Sequence, residues 1–259
     1  MLTGCGSTVD RTNGNWDTVT PQKGDLIAEI EIEGHGTIKA VLFPDIAPVG
    51  VENFQKLADK GYYNGLTIHR VYKGFMFQGG SLNGNGTGGA AAVNGGQFGI
   101  ETSDKARHFY GALCYANAGG QNSTQFYIVN ADEKDQFNKL IDSYNNAINV
   151  YKSRADAASS EDEKAFYEYQ ALRSEAERDS YAAELAAMDP ELRQRYEERG
   201  GVTYLDGGYT VFGQVYEGFD VIQSISNVEV EAADGSIDSV PTKPVETLVI
   251  KSVTVSKFK

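Results

Sequence analysis

The chain has 259 residues, a formal net charge of -13, 41% hydrophobic residues and two cysteines. That is enough apolar material for one substantial core, and it excludes a disulfide scaffold, a collagen-like fibre and a mainly disordered polypeptide. The 36 acidic residues against 23 basic ones repel phosphate backbones, so no nucleic-acid partner is expected, and no stretch approaches the roughly 18 consecutive apolar residues of a membrane span.

In chain order, Leu2-Thr3-Gly4-Cys5 resembles the lipobox of bacterial lipoproteins, in which a small residue precedes a cysteine that becomes lipidated. The reading that follows takes Met1 as a trimmed start and Cys5 as the lipidated terminus of an extracytoplasmic, membrane-anchored protein. A cytoplasmic protein with a chance tetrapeptide is the alternative, and membrane contact is expected only through the lipid. The polar stretch Gly6 to Asp25, with a single Trp16, has the composition of a tether.

Next come short β-like runs punctuated by turn residues. Leu26 to Ile32 and Thr37 to Phe43, joined by Gly34-His35-Gly36, predict an antiparallel hairpin. Pro48 suits a first helical turn, and Val51, Phe54, Leu57 and Ala58 follow at helical spacing until Gly61. Further strands are expected over 67–72, 111–116, 125–130, 210–215 and 248–255, with a weaker helix over 217–225. Many strands with few helices point to a closed barrel or sandwich.

Glycine usage marks a splice: none of the 29 glycines lies between Gly120 and Gly200. Within the gap, Phe137, Leu140, Tyr144, Ala147 and Tyr151 predict one helix with an apolar stripe. A capping box, Ser160 with Glu163, predicts the start of a second, with apolar positions Tyr169, Leu172, Ala176, Ala183 and Ala187, broadened by Tyr181, Leu185 and Met188. Asp189-Pro190-Glu191 opens a short third helix that ends at Gly200-Gly201. The expected organisation is a tether over 1–24, a barrel formed by 25–132 and 201–259, and a helical insertion over 133–200.

Three histidines and two cysteines leave few metal or nucleophile candidates. None of His35, His69 and His108 has a second His or Cys at ligand spacing, so no metal site is expected. Cys114, between Leu113 and Tyr115 in an apolar strand, reads as a small core residue. The glycine-rich stretch Gly79 to Gly96 lacks the Lys-Ser/Thr pair of a phosphate loop and reads as a long surface loop. The run Ile68-His69-Arg70-Val71-Tyr72-Lys73-Gly74-Phe75-Met76-Phe77-Gln78-Gly79-Gly80 is more informative. Strand alternation would put His69 and Arg70 on opposite faces, with His69 a buried residue whose ring nitrogens are satisfied. Arg, Phe, Met and Gln at one turn place a charge beside an apolar cup, a combination that binds an apolar group next to a polarisable amide.

That run resembles the central motif of the cyclophilin family of peptidyl-prolyl isomerases. Four further matches follow in order: Asn85-Gly86-Thr87-Gly88-Gly89, Ala116-Asn117-Ala118-Gly119, Ser123-Thr124-Gln125-Phe126-Tyr127-Ile128, and Leu205-Asp206-Gly207 with Val211-Phe212-Gly213. The resemblance implies a mainly β fold: an eight-stranded antiparallel closed barrel capped by two helices, binding peptide on its outer face. The insertion falls outside the resemblance and is read as an α-helical hairpin.

Carried over by motif position, Arg70 is the catalytic cation, with Phe75 and Gln78 beside it. Phe75, Met76, Tyr127 and Leu205 line the proline pocket; Gln78, Gly86, Ala116, Asn117, Ala118 and Gln125 contact the peptide. Tyr204 and Tyr209 stand where many members have Trp and His, and Tyr127 where Phe is common; the missing indole donor puts cyclosporin binding in doubt. Phe126 and Phe212 are expected in the core. No cofactor is implied, and the expected partners are proline-containing unfolded or flexible polypeptides. The competing readings are a peptide-binding chaperone whose clients are held by the insertion, and a scaffold that self-associates through its tyrosines from Tyr144 to Tyr196.

Overall fold

The structure is a computed structural model that describes residues 19–232, 238 and 240–259; Cys5 and most of the expected tether lie outside the described residues. Eight antiparallel strands close a barrel: β1 (Leu26–Ile32), β2 (Gly36–Leu42), β3 (Thr67–Tyr72), β4 (Met76–Gly79), β6 (Ala112–Ala118), β7 (Gln121–Val129), β8 (Val211–Glu217) and β11 (Leu248–Lys257). Their order is β4-β3-β11-β1-β2-β8-β6-β7, and pairing of β4 with β7 completes the ring. Closure leaves the ring no free edge. The two-residue strand β5 (Phe98–Gly99) pairs with β7 outside the ring, and β9 (Val230–Glu231) pairs with β10 (Lys243–Pro244) in a separate ladder.

The alternation seen in Leu26–Ile32 puts Ala28, Ile30 and Ile32 in the barrel core. Two helices cap it. Helix α1 (Pro48–Asp59) buries Val51, Phe54, Leu57 and Ala58, and α5 (Phe219–Ser226) buries Val221, Ile222 and Ile225 in the same core. Phe54 sits among three aromatic rings, those of Tyr63, Phe126 and Phe212, at centroid distances of 5.1, 5.7 and 5.1 Å. Phe126 and Phe212 are fully buried.

The chain divides into two compact units, one containing the barrel up to Asp132 and from Gly201 onward, the other Glu133–Gly200. The second unit holds α2 (Gln136–Asp156), α3 (Glu161–Ala187) and α4 (Pro190–Arg199). Ser160 caps α3 by accepting from Glu163 N at 3.2 Å. The reciprocal bond goes to the amide of Ser159, at 2.9 Å from Glu163 Oε2, one residue before the cap. Asp189 Oδ1 accepts from Leu192 N at 2.9 Å to start α4.

The seam of α3 differs from the expected stripe, while that of α2 follows it except at Leu140. Tyr169 and Leu172 are 63% and 64% exposed, while Ala171 and Leu185 are the buried residues of α3. In α2 the buried residues are Phe137, Ile148 and Ala155, and Leu140 is exposed. The seam is mixed: Arg178 donates from Nη1 to Asn145 Oδ1 at 3.2 Å, Lys152 pairs with Glu175 at 2.7 Å, and the Arg154 guanidinium lies 5.7 Å from the Tyr167 ring centroid. Long polar side chains take part in the contact, so in α3 an apolar period chosen from hydrophobicity alone sets the main stripe on the exposed face.

Candidate active site

Strands β3 and β4 place the central motif. The pairing register shifts between Ile68, opposite Gly79, and Arg70, opposite Gln78. His69 is thus the extra residue of a β-bulge, and a bulge breaks strict alternation. Ile68 and Val71 are buried while both His69 and Arg70 are half-buried, so the two do not take the opposite faces that strand alternation requires. His69 departs from expectation in a second way: its Nδ1 is buried and, among the described residues, has no hydrogen bond of ordinary geometry, the Thr67 backbone only partly opposing the cost of burial. Burial, reinforced by the Arg70 charge, lowers its pKa from 6.5 to about 4.

Arg70 leads a line of polar side chains. Its Nη1 donates to Gln78 Oε1 over a long 3.4 Å, Gln78 Nε2 donates to Gln125 Oε1 at 2.9 Å, and Gln125 Nε2 donates to the Gly86 carbonyl at 2.9 Å. Strands β3, β4 and β7 bring the first three together through the pairs Arg70 with Gln78 and Gln78 with Tyr127. The loop that supplies Gly86 leaves β4 through Gly80, whose φ of 82° and a Cβ position 2.8 Å from the Thr124 carbonyl exclude any side chain there. On its other edge Arg70 meets Asp238: Nε donates to Oδ2 at 2.8 Å and Nη2 to Oδ1 at 2.5 Å.

Beside this line lies an apolar cluster. Met76, Tyr127 and Leu205 are buried together, with Phe75, Ala116 and Tyr209 packed against them. The Arg70 guanidinium carbon is 5.9 Å from the Phe75 ring centroid. Tyr204, 75% exposed, tilts over Phe75 at 5.9 Å, and Tyr127 meets Tyr209 edge-on at 6.1 Å. Asn117 donates to the Gly208 carbonyl at 3.0 Å beside Tyr209. Ala118 is exposed at the end of β6, paired with Gln121.

Behind the cluster runs a buried relay that sequence spacing did not disclose. His108 is 1% exposed. Its amide and its Nδ1 lie 3.0 and 2.8 Å from Asp206 Oδ1, and its Nε2 lies 3.0 Å from the Tyr127 hydroxyl. The carboxylate faces Nδ1, so a proton there donates to Asp206, and in the tautomer that carries only that proton Nε2 accepts from the Tyr127 hydroxyl. Burial raises the Tyr127 pKa well above its ordinary value, so the phenol keeps its proton. The same burial raises the Cys114 thiol well above its usual range, in keeping with a core residue rather than a nucleophile.

A closed barrel with a guanidinium and a line of side-chain amides beside an apolar cup is equipped to bind an extended peptide and act on an amide within it. The family model for cyclophilin-type peptidyl-prolyl cis-trans isomerases matches residues 27–149 and 197–255. A Staphylococcus haemolyticus protein, named as an inferred peptidyl-prolyl cis-trans isomerase, is 34% identical over 233 residues, covering 88% of this chain and 91% of its own. A protein of the same name from Staphylococcus aureus is 33% identical and covers 88% and 93%. A crystal structure of a cyclophilin-type isomerase from Cryptosporidium parvum shares the fold, with a TM-score of 0.57 at 19% identity, covering 91% of this chain and 99% of that one. A second structure of that protein, determined in the presence of the dipeptide Ala-Pro, gives a TM-score of 0.56 at 19% identity, with 90% and 99% covered. This chain belongs to the cyclophilin-type peptidyl-prolyl cis-trans isomerase family and is an enzyme of that class.

Proposed function

We propose that the site takes proline-containing segments of unfolded or flexible polypeptides and that Arg70 is the group that lowers the rotation barrier. The observation that carries this is the guanidinium held at the rim of the apolar cluster, 5.9 Å from the Phe75 centroid. Rotation about an amide costs about 18–20 kcal/mol because nitrogen conjugation is lost, and an Xaa-Pro bond left alone turns over in tens of seconds or more. A guanidinium does not deprotonate usefully, but it donates to the proline nitrogen as the lone pair localises there in the twisted state. That bond exists only in the transition state, so it accelerates the step rather than tightening ground-state binding.

The proline ring would enter against Phe75, Met76, Tyr127 and Leu205, while Gln78, Gly86, Ala116, Asn117, Ala118 and Gln125 would hold the flanking backbone and Tyr204 and Tyr209 would border the pocket. With one side of the bond gripped, the other is free to turn. No bond to the enzyme forms and no proton is transferred. Titration of labelled protein with a proline-containing tetrapeptide and with its Pro→Ala counterpart tests the assignment. Shifts at these residues with the first peptide and not the second are expected; equal shifts with both would refute a proline pocket here.

The motif Leu2-Thr3-Gly4-Cys5 supports an extracytoplasmic location, with the protein anchored by a lipid on Cys5 and acting on polypeptides outside the cytoplasm. Mass spectrometry of the protein extracted from native membranes should find Cys5 acylated, and an unmodified Cys5 would end that part of the proposal. A second reading, client holding by the insertion, is favoured by the exposed side chains of Phe166, Tyr169 and Leu172 along α3. Replacing residues 133–200 with a short linker should then leave tetrapeptide turnover unchanged and reduce activity on a whole unfolded protein. Equal activity on both substrates would leave the insertion without this role.

A further inference from the structure

We infer that Asp238 is a positioning residue for Arg70, an inference that rests on the catalytic assignment above. Asp238 follows α5 and β9 in the chain, 168 residues from its partner, yet it takes two of the five guanidinium N–H donors in a fork, at 2.8 and 2.5 Å. Gln78 takes a third. The ion pair is sheltered, the Asp238 side chain being 8% exposed and that of Arg70 28%, where a charge-assisted fork holds orientation far better than on an open surface.

The carboxylate is itself held. Thr242 Oγ1 donates to Asp238 Oδ2 at 2.8 Å, and the carbonyl of the buried Thr242 accepts from Val71 N at 2.7 Å. Val71 directly follows Arg70 on β3, so the bonds form a closed circuit: strand, guanidinium, carboxylate, hydroxyl, backbone, strand. An arginine side chain in solution samples many rotamers, and the circuit removes that freedom before substrate arrives.

The geometry also fixes which donors remain. Asp238 occupies the edge formed by Nε and Nη2, and Gln78 takes one proton of Nη1, leaving one proton on each Nη for a substrate. With the Nε edge occupied, the guanidinium cannot swing that edge toward the peptide. The carboxylate therefore acts on the reaction through Arg70 alone and never touches the proline. Placement of the cation within the distance at which a twisted amide nitrogen can accept is the step that positioning governs, and small displacements of a catalytic group cost large factors in rate.

Exchange NMR on a proline-containing tetrapeptide separates peptide affinity from the cis-trans rate on the enzyme. Asp238→Ala should lower the on-enzyme rate roughly tenfold while changing affinity less than about threefold, because ground-state contacts are intact. Asp238→Glu, which retains two acceptors, should restore part of the rate. Asp238→Asn keeps the shape but loses the charge and one acceptor, and should fall between wild type and Ala, which keeps the test available if the Ala variant folds poorly. The Arg70 Nε–Hε resonance should be visible and protected from exchange in the wild type and should broaden or vanish in the Ala and Asn variants, reporting loss of the fork; a purely structural role for Asp238 would lower stability and leave the on-enzyme rate of the folded variants unchanged.

On-enzyme rates of both Ala and Asn variants within twofold of wild type, or faster than wild type, would overturn the inference. Arg70→Ala measured alongside distinguishes the two failures. If it too is fully active, the assignment of Arg70 is wrong; if it is inactive while the Asp238 variants are normal, only the role of Asp238 is wrong.

Discussion

Tyr127→Phe separates the two jobs that the structure gives one side chain. The ring closes the apolar cup with Met76 and Leu205, while the hydroxyl is hydrogen-bonded to His108 Nε2 at 3.0 Å. The substitution keeps the ring and its stacking on His108, where the two planes differ by 13°. It removes the one hydrogen-bond partner that Nε2 has among the described residues, in a side chain that is 1% exposed. Leaving a buried polar atom unpaired costs about 1–3 kcal/mol, more than the net worth of an ordinary hydrogen bond, because the desolvation of the stranded atom is no longer offset. Urea unfolding followed by fluorescence should therefore show a lower midpoint at unchanged slope, corresponding to about 1–3 kcal/mol. Asp206→Ala should cost more, since it strips the acceptor from both the amide and Nδ1 of His108. Tetrapeptide turnover by Tyr127→Phe should stay within a few-fold of wild type because the pocket wall is still there. A variant as stable as the parent would refute the relay, and one that is stable but inactive would show that the hydroxyl serves the substrate instead.

Other outcomes follow from the same structure. Because the folded pKa of His69 is depressed to about 4 from 6.5, the unfolded chain binds the proton first on acidification. Stability from this group is complete above pH 6.5 and lost as pH falls toward 4, by up to about 3 kcal/mol; urea titrations at pH 7 and 4.5 should show the loss shrinking in His69→Gln, and an unchanged acid slope would contradict it. Phe54→Ala empties a site enclosed by three aromatic rings and should cost about 3–5 kcal/mol in the same assay, with a loss under about 1 kcal/mol counting against the packing described. Gly80→Ala forces a Cβ toward the Thr124 carbonyl at a positive φ and should destabilise by more than 1 kcal/mol, on the order of the strain of such a backbone state; unaltered stability would mean the loop accommodates it.

The sequence spoke most clearly where neighbours in the chain are neighbours in space. Arg70, Phe75, Met76 and Gln78 sit within one hairpin, so their association follows from β3 pairing with β4. The helix caps at Ser160 and Asp189 are equally local. Contacts between distant segments left no such mark. Asp238 lies in a stretch whose composition suggests only a turn, and nothing in it points 168 residues back to Arg70. His108 and Asp206, 98 residues apart, likewise lack any shared pattern. The bulge at His69 was hidden for a different reason: alternation is the default for a strand, and one extra residue reverses it from that point on. In α2 the periodicity found the covered face except at Leu140, whereas in α3 it found a real helix but set its main stripe on the exposed side, Tyr181, Leu185 and Met188 lying on the covered one.

The central claim is that a donor aimed at the amide nitrogen, rather than the pocket alone, drives isomerisation. Exchange NMR with saturating tetrapeptide on wild type and Arg70→Ala measures that directly. Removing one preorganised transition-state donor should cut the on-enzyme cis-trans rate roughly 100-fold or more, with peptide affinity nearly retained and the melting profile of the barrel intact. An Arg70→Ala protein that folds, binds the peptide and interconverts its isomers at a rate near that of wild type would contradict the account.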